Sequence, residues 1–161
     1  MIVVVMGVSG SGKTTIGKQL AARQGWRFAD ADAFHPSANV EKMRQGVPLT
    51  DADRAPWLAA VRDALDAWQA AGESGVLACS ALKQTYREIL SPQGDAVFVH
   101  LRGSPEVIGP RMRERTGHYM NPGLLASQFE ILEPPHDAIT VDVAFSVDEL
   151  VSQILVRLPP Q

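Results

Sequence analysis

The residues most able to do chemistry form a glycine-rich loop near the start of the chain. Positions 7–14 read Gly-Val-Ser-Gly-Ser-Gly-Lys-Thr, between an apolar run at 2–6 and a helical pattern that begins at Thr15. Glycines permit backbone angles that side chains forbid, and N–H groups at a helix N-terminus attract anions. In such a loop Lys13 reaches the β- and γ-phosphates, and the Thr14 hydroxyl coordinates Mg²⁺.

This motif therefore predicts binding of a nucleoside triphosphate, and a glycine-rich turn that binds nothing is the alternative. The residues predicted to contact the nucleotide are Gly7, Ser9, Gly10, Ser11, Gly12, Lys13, Thr14 and Thr15.

Two aspartates, Asp30 and Asp32, stand at the end of a second strand-like run at 26–30. The carboxyl ends of parallel strands border the crevice in which open α/β sheets bind ligands. In an extended segment, the one-residue spacing would place both carboxylates on one face. One carboxylate could hold hydrated Mg²⁺ while the other orients an acceptor hydroxyl or takes its proton. A polar pair that caps the next turn is the alternative.

A polar stretch between this pair and the next long helix could form one wall of an acceptor pocket. It contains His35 and Arg54. A lone histidine is weak support for a site, but the planar guanidinium of Arg54 suits bidentate binding of a carboxylate. A salt bridge from Arg54 to Asp51 or Asp30 would be the structural alternative.

A third apolar run, at 75–79, leads into a segment that carries Lys83 and Arg87. Four residues apart on a helix, these two cations would share one face and could bind an anionic acceptor or the transferring phosphoryl group. Cys79, the single cysteine, has no supporting histidine or metal-ligand pattern, so we expect a buried, inert thiol.

The segment 104–133 differs from the rest of the chain in its arginines, which include Arg111 and Arg115, and in the turn Asn121-Pro122-Gly123. A lid that closes over a nucleotide excludes water from phosphoryl transfer. We therefore expect a lid here, with an ordinary solvated helix as the alternative.

Strand-like runs alternate with helical patterns, which predicts a parallel sheet flanked by helices. The strands are expected at 2–6, 26–30, 75–79, 96–101 and 139–144, and the helices at 14–24, 37–45, 53–71, 81–90, 104–116, 122–131 and 146–157. Asp51 or Asp53 is predicted to cap the long helix at 53–71. The sequence thus predicts a three-layer α/β fold with five parallel strands, in a single domain spanning 1–161.

Composition limits the possible partners. The chain has 161 residues, 45% of them hydrophobic, and a net charge of −3. This balance is ordinary for a globular domain and argues against a dedicated binder of nucleic acid or of an anionic membrane. No apolar run approaches the ~20 residues of a membrane span. With one cysteine and hence no internal disulfide, we expect a cytoplasmic setting.

Taken in order, the polar blocks resemble those of the gluconokinases, which are small P-loop kinases. The blocks that carry the resemblance beyond the loop are Asp30-Ala-Asp32, Phe34-His35-Pro36, Asp53-Arg54-x-Pro56-Trp57, Cys79-Ser80-Ala81-Leu82-Lys83, and Ser127-Gln128-Phe129 through Pro134. The resemblance runs in register from the N-terminus to about Pro134. It implies a nucleoside-monophosphate-kinase-like fold with a helical lid, ATP-dependent phosphorylation of D-gluconate on its 6-hydroxyl, and a homodimer.

From the chemistry of such a transfer we also expect roles for individual residues. Lys13, Mg²⁺ at Thr14 and Arg115 would neutralise the developing charge. Asp32 would orient the alcohol and take its proton, while Asp30 acts through Mg²⁺-bound water. The residues expected to hold the sugar acid are His35, Arg54, Lys83, Arg87 and His118, and Arg111 is expected to pack against the adenine.

Two departures from the family pattern and two rival functions accompany this interpretation. Gly109-Pro110 predicts a late start or a kink in the helix there, and Pro134-Pro135-His136-Asp137 is unusual for the adenine-side loop.

A shikimate kinase or a similar small-metabolite kinase would share the loop and the lid. A nucleotide-binding regulatory protein is a rival of another class, although the guanine-reading motif Asn-Lys-x-Asp does not occur in the sequence.

Overall fold

A parallel β-sheet forms the centre of the molecule. The computed structural model describes residues 1–114 and 121–161. The strands are β1 (Ile2–Met6), β2 (Arg27–Asp30), β3 (Gly75–Ala78), β4 (Val97–Arg102) and β5 (Ile139–Asp142). They pair in parallel in the order β2-β3-β1-β4-β5. The predicted α/β fold with five parallel strands is confirmed.

Helices cover both faces of this sheet. They are α1 (Lys13–Gln24), α2 (Ser37–Arg44), α3 (Asp51–Ala70), α4 (Gln84–Leu90), α5 (Pro105–Glu114), α6 (Leu125–Ile131) and α7 (Val147–Arg157). Short 3₁₀ turns span Ala31–Phe34 and Pro122–Leu124. No helix in the described ranges is long and apolar enough to cross a membrane.

Alternation along the strands supplies two separate cores, one on each face of the sheet. On one face, Val3 and Val5 of β1 belong to an apolar cluster with residues of α1, α5 and α7. On the other face, Val4 and Met6 pack with residues of α3 and α4. Because β1 is buried on both faces, the loop that leaves its carboxyl end starts from a fixed point.

The structure corrects two predicted helix starts. Thr50, and not Asp51 or Asp53, caps α3: its hydroxyl accepts the Asp53 N–H at 3.1 Å, and the Asp53 carboxylate accepts the Thr50 N–H at 2.9 Å. This reciprocal capping box uses Asp53 at the third helical position. Helix α5 begins at Pro105 and includes Pro110, so the predicted late start is wrong. Proline is well suited to a first helical position, where its missing N–H costs nothing.

Candidate active site

The glycine-rich loop joins β1 to α1 and wraps the N-terminus of that helix. Gly10 and Gly12 have φ values of 81° and 102°, in the left-handed region that favours glycine, and Gly12 is the cap residue of α1. The Ser11 hydroxyl is buried and has no hydrogen-bond partner among the described groups. A loop of this shape and polarity fits a phosphate chain, because its backbone donors lie at the positive end of a helix.

Lys13 and Thr14 follow the loop in the first turn of α1. The Lys13 ammonium donates to the Val8 carbonyl at 2.9 Å, among its other contacts, so its side chain lies across the loop. The Thr14 hydroxyl donates to one carboxylate oxygen of Asp30 at 2.7 Å. The Thr14 hydroxyl and the Asp30 carboxylate are oxygen ligands of the kind that Mg²⁺ prefers.

Asp30 and Asp32 do not share an extended segment. The second carboxylate oxygen of Asp30 accepts the Asp32 N–H at 3.0 Å and starts the 3₁₀ turn Ala31–Phe34. The prediction of extended backbone is therefore wrong at Asp32, because a short-range cap competes with continuation of the strand. Asp30 caps this turn and contacts Thr14 at the same time, whereas Asp32 lines the cavity described next.

A cavity of about 230 Å³ lies between the glycine-rich loop and the polar segments that follow β2 and β3. It brings together most of the residues predicted for the nucleotide and the acceptor. Those that line it are Ser9, Gly10, Gly12, Lys13, Thr14, Thr15, Asp32, His35, Arg54 and Arg111. Gly7 and Ser11 belong to the loop but are not among the lining residues, so their side of the loop faces the protein.

His35 is held against the wall of this cavity. Its ring stacks on Trp57 with centroids 4.2 Å apart, and the Asn39 amide nitrogen lies 3.4 Å from its Nδ1. Burial lowers the pKa of His35 from 6.5 to about 4, against an opposing effect of Asp32. His35 is therefore neutral near pH 7 and can offer hydrogen bonds but not a full charge.

Arg54 is positioned by neutral oxygens. Its Nη1 donates to the Leu49 carbonyl at 2.8 Å and to the Tyr86 hydroxyl at 3.1 Å. Among the described residues no salt bridge joins it to Asp51 or Asp30, the structural alternative considered from the sequence. Neither aspartate therefore occupies its guanidinium directly, although the charge of Asp51 acts on it from a longer distance.

Lys83 and Arg87 do not line the cavity with the other predicted acceptor ligands. Lys83 precedes α4, and its ammonium lies 3.0 Å from an Asp51 carboxylate oxygen. The predicted shared face is therefore wrong, because the helix starts at Gln84 and not at 81. The left-handed backbone of Ala81, with φ of 45°, stands in that expected first turn.

Arg87 is buried, at 4% exposure, and has a structural partner set. Its guanidinium donates to the carbonyls of Ala81 at 2.7 Å, Leu82 at 3.2 Å and Glu133 at 2.8 Å. Main-chain carbonyls of two loops thus bind the guanidinium N–H groups that were predicted from the sequence to bind the acceptor substrate. Its placement does not support a role in holding the sugar acid, because main-chain carbonyls already accept from its guanidinium and it does not line the cavity.

Other lining residues had no role in the sequence-based prediction. Leu49, Ser80 and Leu82 face the cavity, as does Gln128 from α6. The side-chain oxygen of Gln128 accepts the Ser9 N–H at 2.6 Å. The signal that could have found Gln128 was its place in the Ser127-Gln128-Phe129 block, to which no chemistry had been assigned.

The remaining predicted residues belong to the arginine-rich segment. Arg111 lines the cavity and donates to the Val143 carbonyl at 2.9 Å, which ties α5 to the chain after β5. Arg115 and His118 lie outside the described residues.

Cys79 is buried, and burial raises the pKa of its thiol to about 12, which suits the inert role expected of it.

Comparison with known proteins agrees with this geometry. The shikimate kinase family model matches residues 9–132. The gluconokinase of Gluconobacter oxydans is 54% identical over 83% of this chain and 76% of its own length. A probable gluconokinase of Xenopus tropicalis is 46% identical over 96% of this chain and 91% of its own length. The solved structure of a gluconokinase from Sinorhizobium meliloti is 45% identical, with a TM-score of 0.84 over 96% of this chain and 89% of that one.

The family match covers most of the chain, and these relatives are similar over 76–91% of their own length. The resemblance seen in the polar blocks is confirmed. The chain belongs to the shikimate kinase family and, within that family, to the gluconokinases, and it is an ATP-dependent carbohydrate kinase.

Proposed function

We propose that this protein transfers the γ-phosphoryl group of ATP to the 6-hydroxyl of D-gluconate. The observation that carries the proposal is the shared cavity, in which Lys13 of the phosphate-binding loop and the acceptor-side residues Asp32 and Arg54 line one space of about 230 Å³. Direct transfer requires donor and acceptor oxygens in line at one phosphorus. The identity with gluconokinases selects gluconate as the acceptor.

The loop amides and Lys13 would bind the triphosphate. Thr14 and Asp30, whose oxygens are 2.7 Å apart, would hold the Mg²⁺ ion and its water shell. When bound, Mg²⁺ neutralises charge on the β- and γ-phosphate oxygens. Arg115 is proposed to help neutralise the charge that develops during transfer, and Arg111 to pack against the adenine.

Asp32 is the proposed general base. It lines the cavity on the acceptor side of the loop, where its carboxylate can orient the primary alcohol and accept its proton. The capping role falls to Asp30, so Asp32 is not needed to start the 3₁₀ turn. This division of labour between the two aspartates separates the metal-side carboxylate from the proton acceptor.

Arg54 and His35 are the proposed ligands of the sugar acid. A guanidinium carries five N–H donors, more than the contacts to Leu49 and Tyr86 use, and its fork matches a carboxylate. His35, neutral and stacked on Trp57, would bond a hydroxyl. Lys83, whose ammonium lies 5.6 Å from the ring centroid of the same Tyr86, and His118 are further proposed ligands of the sugar acid.

Further proposals concern the protein as a whole. We infer a single domain over 1–161, with residues 104–133 as a lid that excludes water during transfer. The homodimer implied by the family resemblance remains a prediction.

A screen of acceptors tests the proposed function. ADP release would be followed with MgATP alone and after addition of D-gluconate, other six-carbon aldonates or shikimate. We expect strong stimulation by D-gluconate and none by shikimate. Stimulation by shikimate in its place would support the rival kinase, and slow hydrolysis unchanged by every acceptor would support a regulatory protein.

A further inference from the structure

Helix α6 contacts the phosphate-binding loop through a buried hydrogen bond. The Gln128 side-chain oxygen accepts the backbone N–H of Ser9 at 2.6 Å, across 119 positions of sequence. Gln128 is 8% exposed and Ser9 is 3% exposed. Because a backbone N–H can only donate, the amide oxygen and not the amide nitrogen must face it.

Helix α5 packs against the same point of the loop. The Ser9 hydroxyl contacts the Met112 sulfur at 3.2 Å. A Cβ added at Gly10 would lie 3.2 Å from the Cβ of Met112, so a side chain there would press against α5. Helix α5 therefore meets the loop at Ser9 and Gly10, and α6 meets it at Ser9.

The loop needs such an external contact because its own sequence leaves it adaptable. Glycines at 10 and 12 lower the barrier to other backbone conformations. A buried N–H without an acceptor carries a desolvation cost, so the Gln128 oxygen favours the conformation in which Ser9 faces α6. The neighbouring amides of the loop are then presented to the cavity that Gln128 itself also lines.

We propose that Gln128 is a positioning residue for the nucleotide: its side-chain oxygen fixes Ser9 and thereby the phosphate-binding conformation of the loop. This inference rests on the proposed function in taking gluconate as the acceptor. Its claim about nucleotide binding does not depend on which acceptor the protein uses. It makes α6, a helix outside the glycine-rich motif, part of the nucleotide site. Loss of the contact weakens nucleotide binding and leaves acceptor binding almost unchanged.

Two substitutions test this inference. Gln128→Met keeps the length of the side chain but removes the amide oxygen. Gln128→Glu keeps an acceptor for Ser9 but adds a negative charge beside the phosphates. Glu130→Gln is the control, because Glu130 lies exposed on the same helix.

The readouts are the calorimetric Kd for MgADP, the KM values for ATP and gluconate, and the melting temperature. For Gln128→Met we expect the MgADP Kd and the ATP KM to rise about tenfold, equivalent to about 1.4 kcal/mol. The gluconate KM should stay within about twofold, which a general loss of folded structure would not produce. For Gln128→Glu we expect weaker nucleotide binding that partly recovers as salt screens the added charge.

Unchanged MgADP binding in a folded Gln128→Met variant would overturn the inference, as would equal increases in both KM values. If Gln128→Met does not fold, the test uses Gln128→Glu, which keeps the acceptor for Ser9: weakened nucleotide binding that does not recover at all as salt is added overturns the inference as well. Because calorimetry with MgADP needs no acceptor, these outcomes are distinct from a wild-type protein that fails to phosphorylate gluconate.

Discussion

The nucleotide side and the acceptor side of the cavity are built in different ways. The nucleotide side is a contiguous stretch, residues 7–15, whose backbone turns directly out of a buried strand into a helix. The acceptor side collects single side chains, among them Asp32, His35 and Arg54, from separate segments. A contiguous motif therefore keeps its residues together through the chain itself, whereas an assembled wall depends on which polar groups the packing leaves available.

The largest expected effect belongs to the contiguous side. Lys13→Met should lower kcat by on the order of 10²- to 10³-fold, because it removes a charge that stabilises the transferring phosphoryl group. Steady-state kinetics with a melting curve checks this. Lys18→Met, on the exposed face of the same helix, is the control and should behave like the wild type. A Lys13→Met variant with more than a tenth of wild-type kcat would contradict the assigned role.

On the assembled side, Asp32→Asn should have the next largest effect. A general base contributes about 10²- to 10⁴-fold in rate, so kcat should fall within that range. The MgADP Kd should change by less than about twofold, because Asp32 is proposed to act on the acceptor hydroxyl and not on the nucleotide. Asp63→Asn, an exposed position on α3, controls for loss of surface charge. Near-normal turnover by Asp32→Asn would remove Asp32 from the catalytic role.

Two arginines that the sequence predicted for the acceptor side allow a matched comparison. Arg54→Met should raise the gluconate KM by about 10- to 100-fold, the range that a charge-assisted hydrogen bond gives. Arg87→Met should instead lower the free energy of unfolding by about 2–3 kcal/mol, because three main-chain carbonyls lose their donor. Its gluconate KM should change little.

Kinetics and denaturant unfolding on both arginine variants distinguish the two roles. If Arg87→Met raised the gluconate KM in a fully folded protein while Arg54→Met did not, the roles assigned here to the two arginines would be wrong. The sequence-based assignment of Arg87 to the acceptor would then be restored.

The smallest effect concerns pH. The folded protein holds the pKa of His35 at about 4, below its ordinary 6.5. As the pH falls from about 6.5 to 4, the unfolded chain binds the proton first, so the stability that neutral His35 contributes is lost over this window. Below pH 4 both states are protonated and the effect is complete.

Denaturant unfolding at pH 7 and pH 5 measures this effect. His35→Gln should lose less stability than the wild type between these values, and His136→Gln, at an exposed position, should lose as much as the wild type. An equal loss in the wild type and in His35→Gln would show that burial does not hold His35 neutral.

The sequence predicted the sheet well and the helix starts less well. Apolar β-branched runs such as 2–6 identify buried strands directly, because both faces of each strand enter a core. Helix starts depend on which of several neighbouring polar side chains makes the cap. At α3 the choice between Thr50, Asp51 and Asp53 is decided by reciprocal hydrogen bonds that composition alone does not reveal.

In the site, the glycine-rich loop could be predicted because the residues that define it are consecutive in the sequence. The acceptor wall could be predicted only in part. Arg54 and Arg87 are alike in type and both stand in polar blocks, yet the carbonyls of Ala81, Leu82 and Glu133 surround only one of them. Gln128 was missed because its partner, Ser9, lies far away in the sequence.

Identification of the phosphorylated product tests the central proposal most directly. After incubation with MgATP and D-gluconate, phosphorus–proton NMR of the product assigns the carbon that bears the new phosphate. We predict a single monophosphate ester on carbon 6, formed together with ADP. Phosphate on another carbon, or ADP formed with inorganic phosphate alone, would contradict transfer to the primary hydroxyl of gluconate.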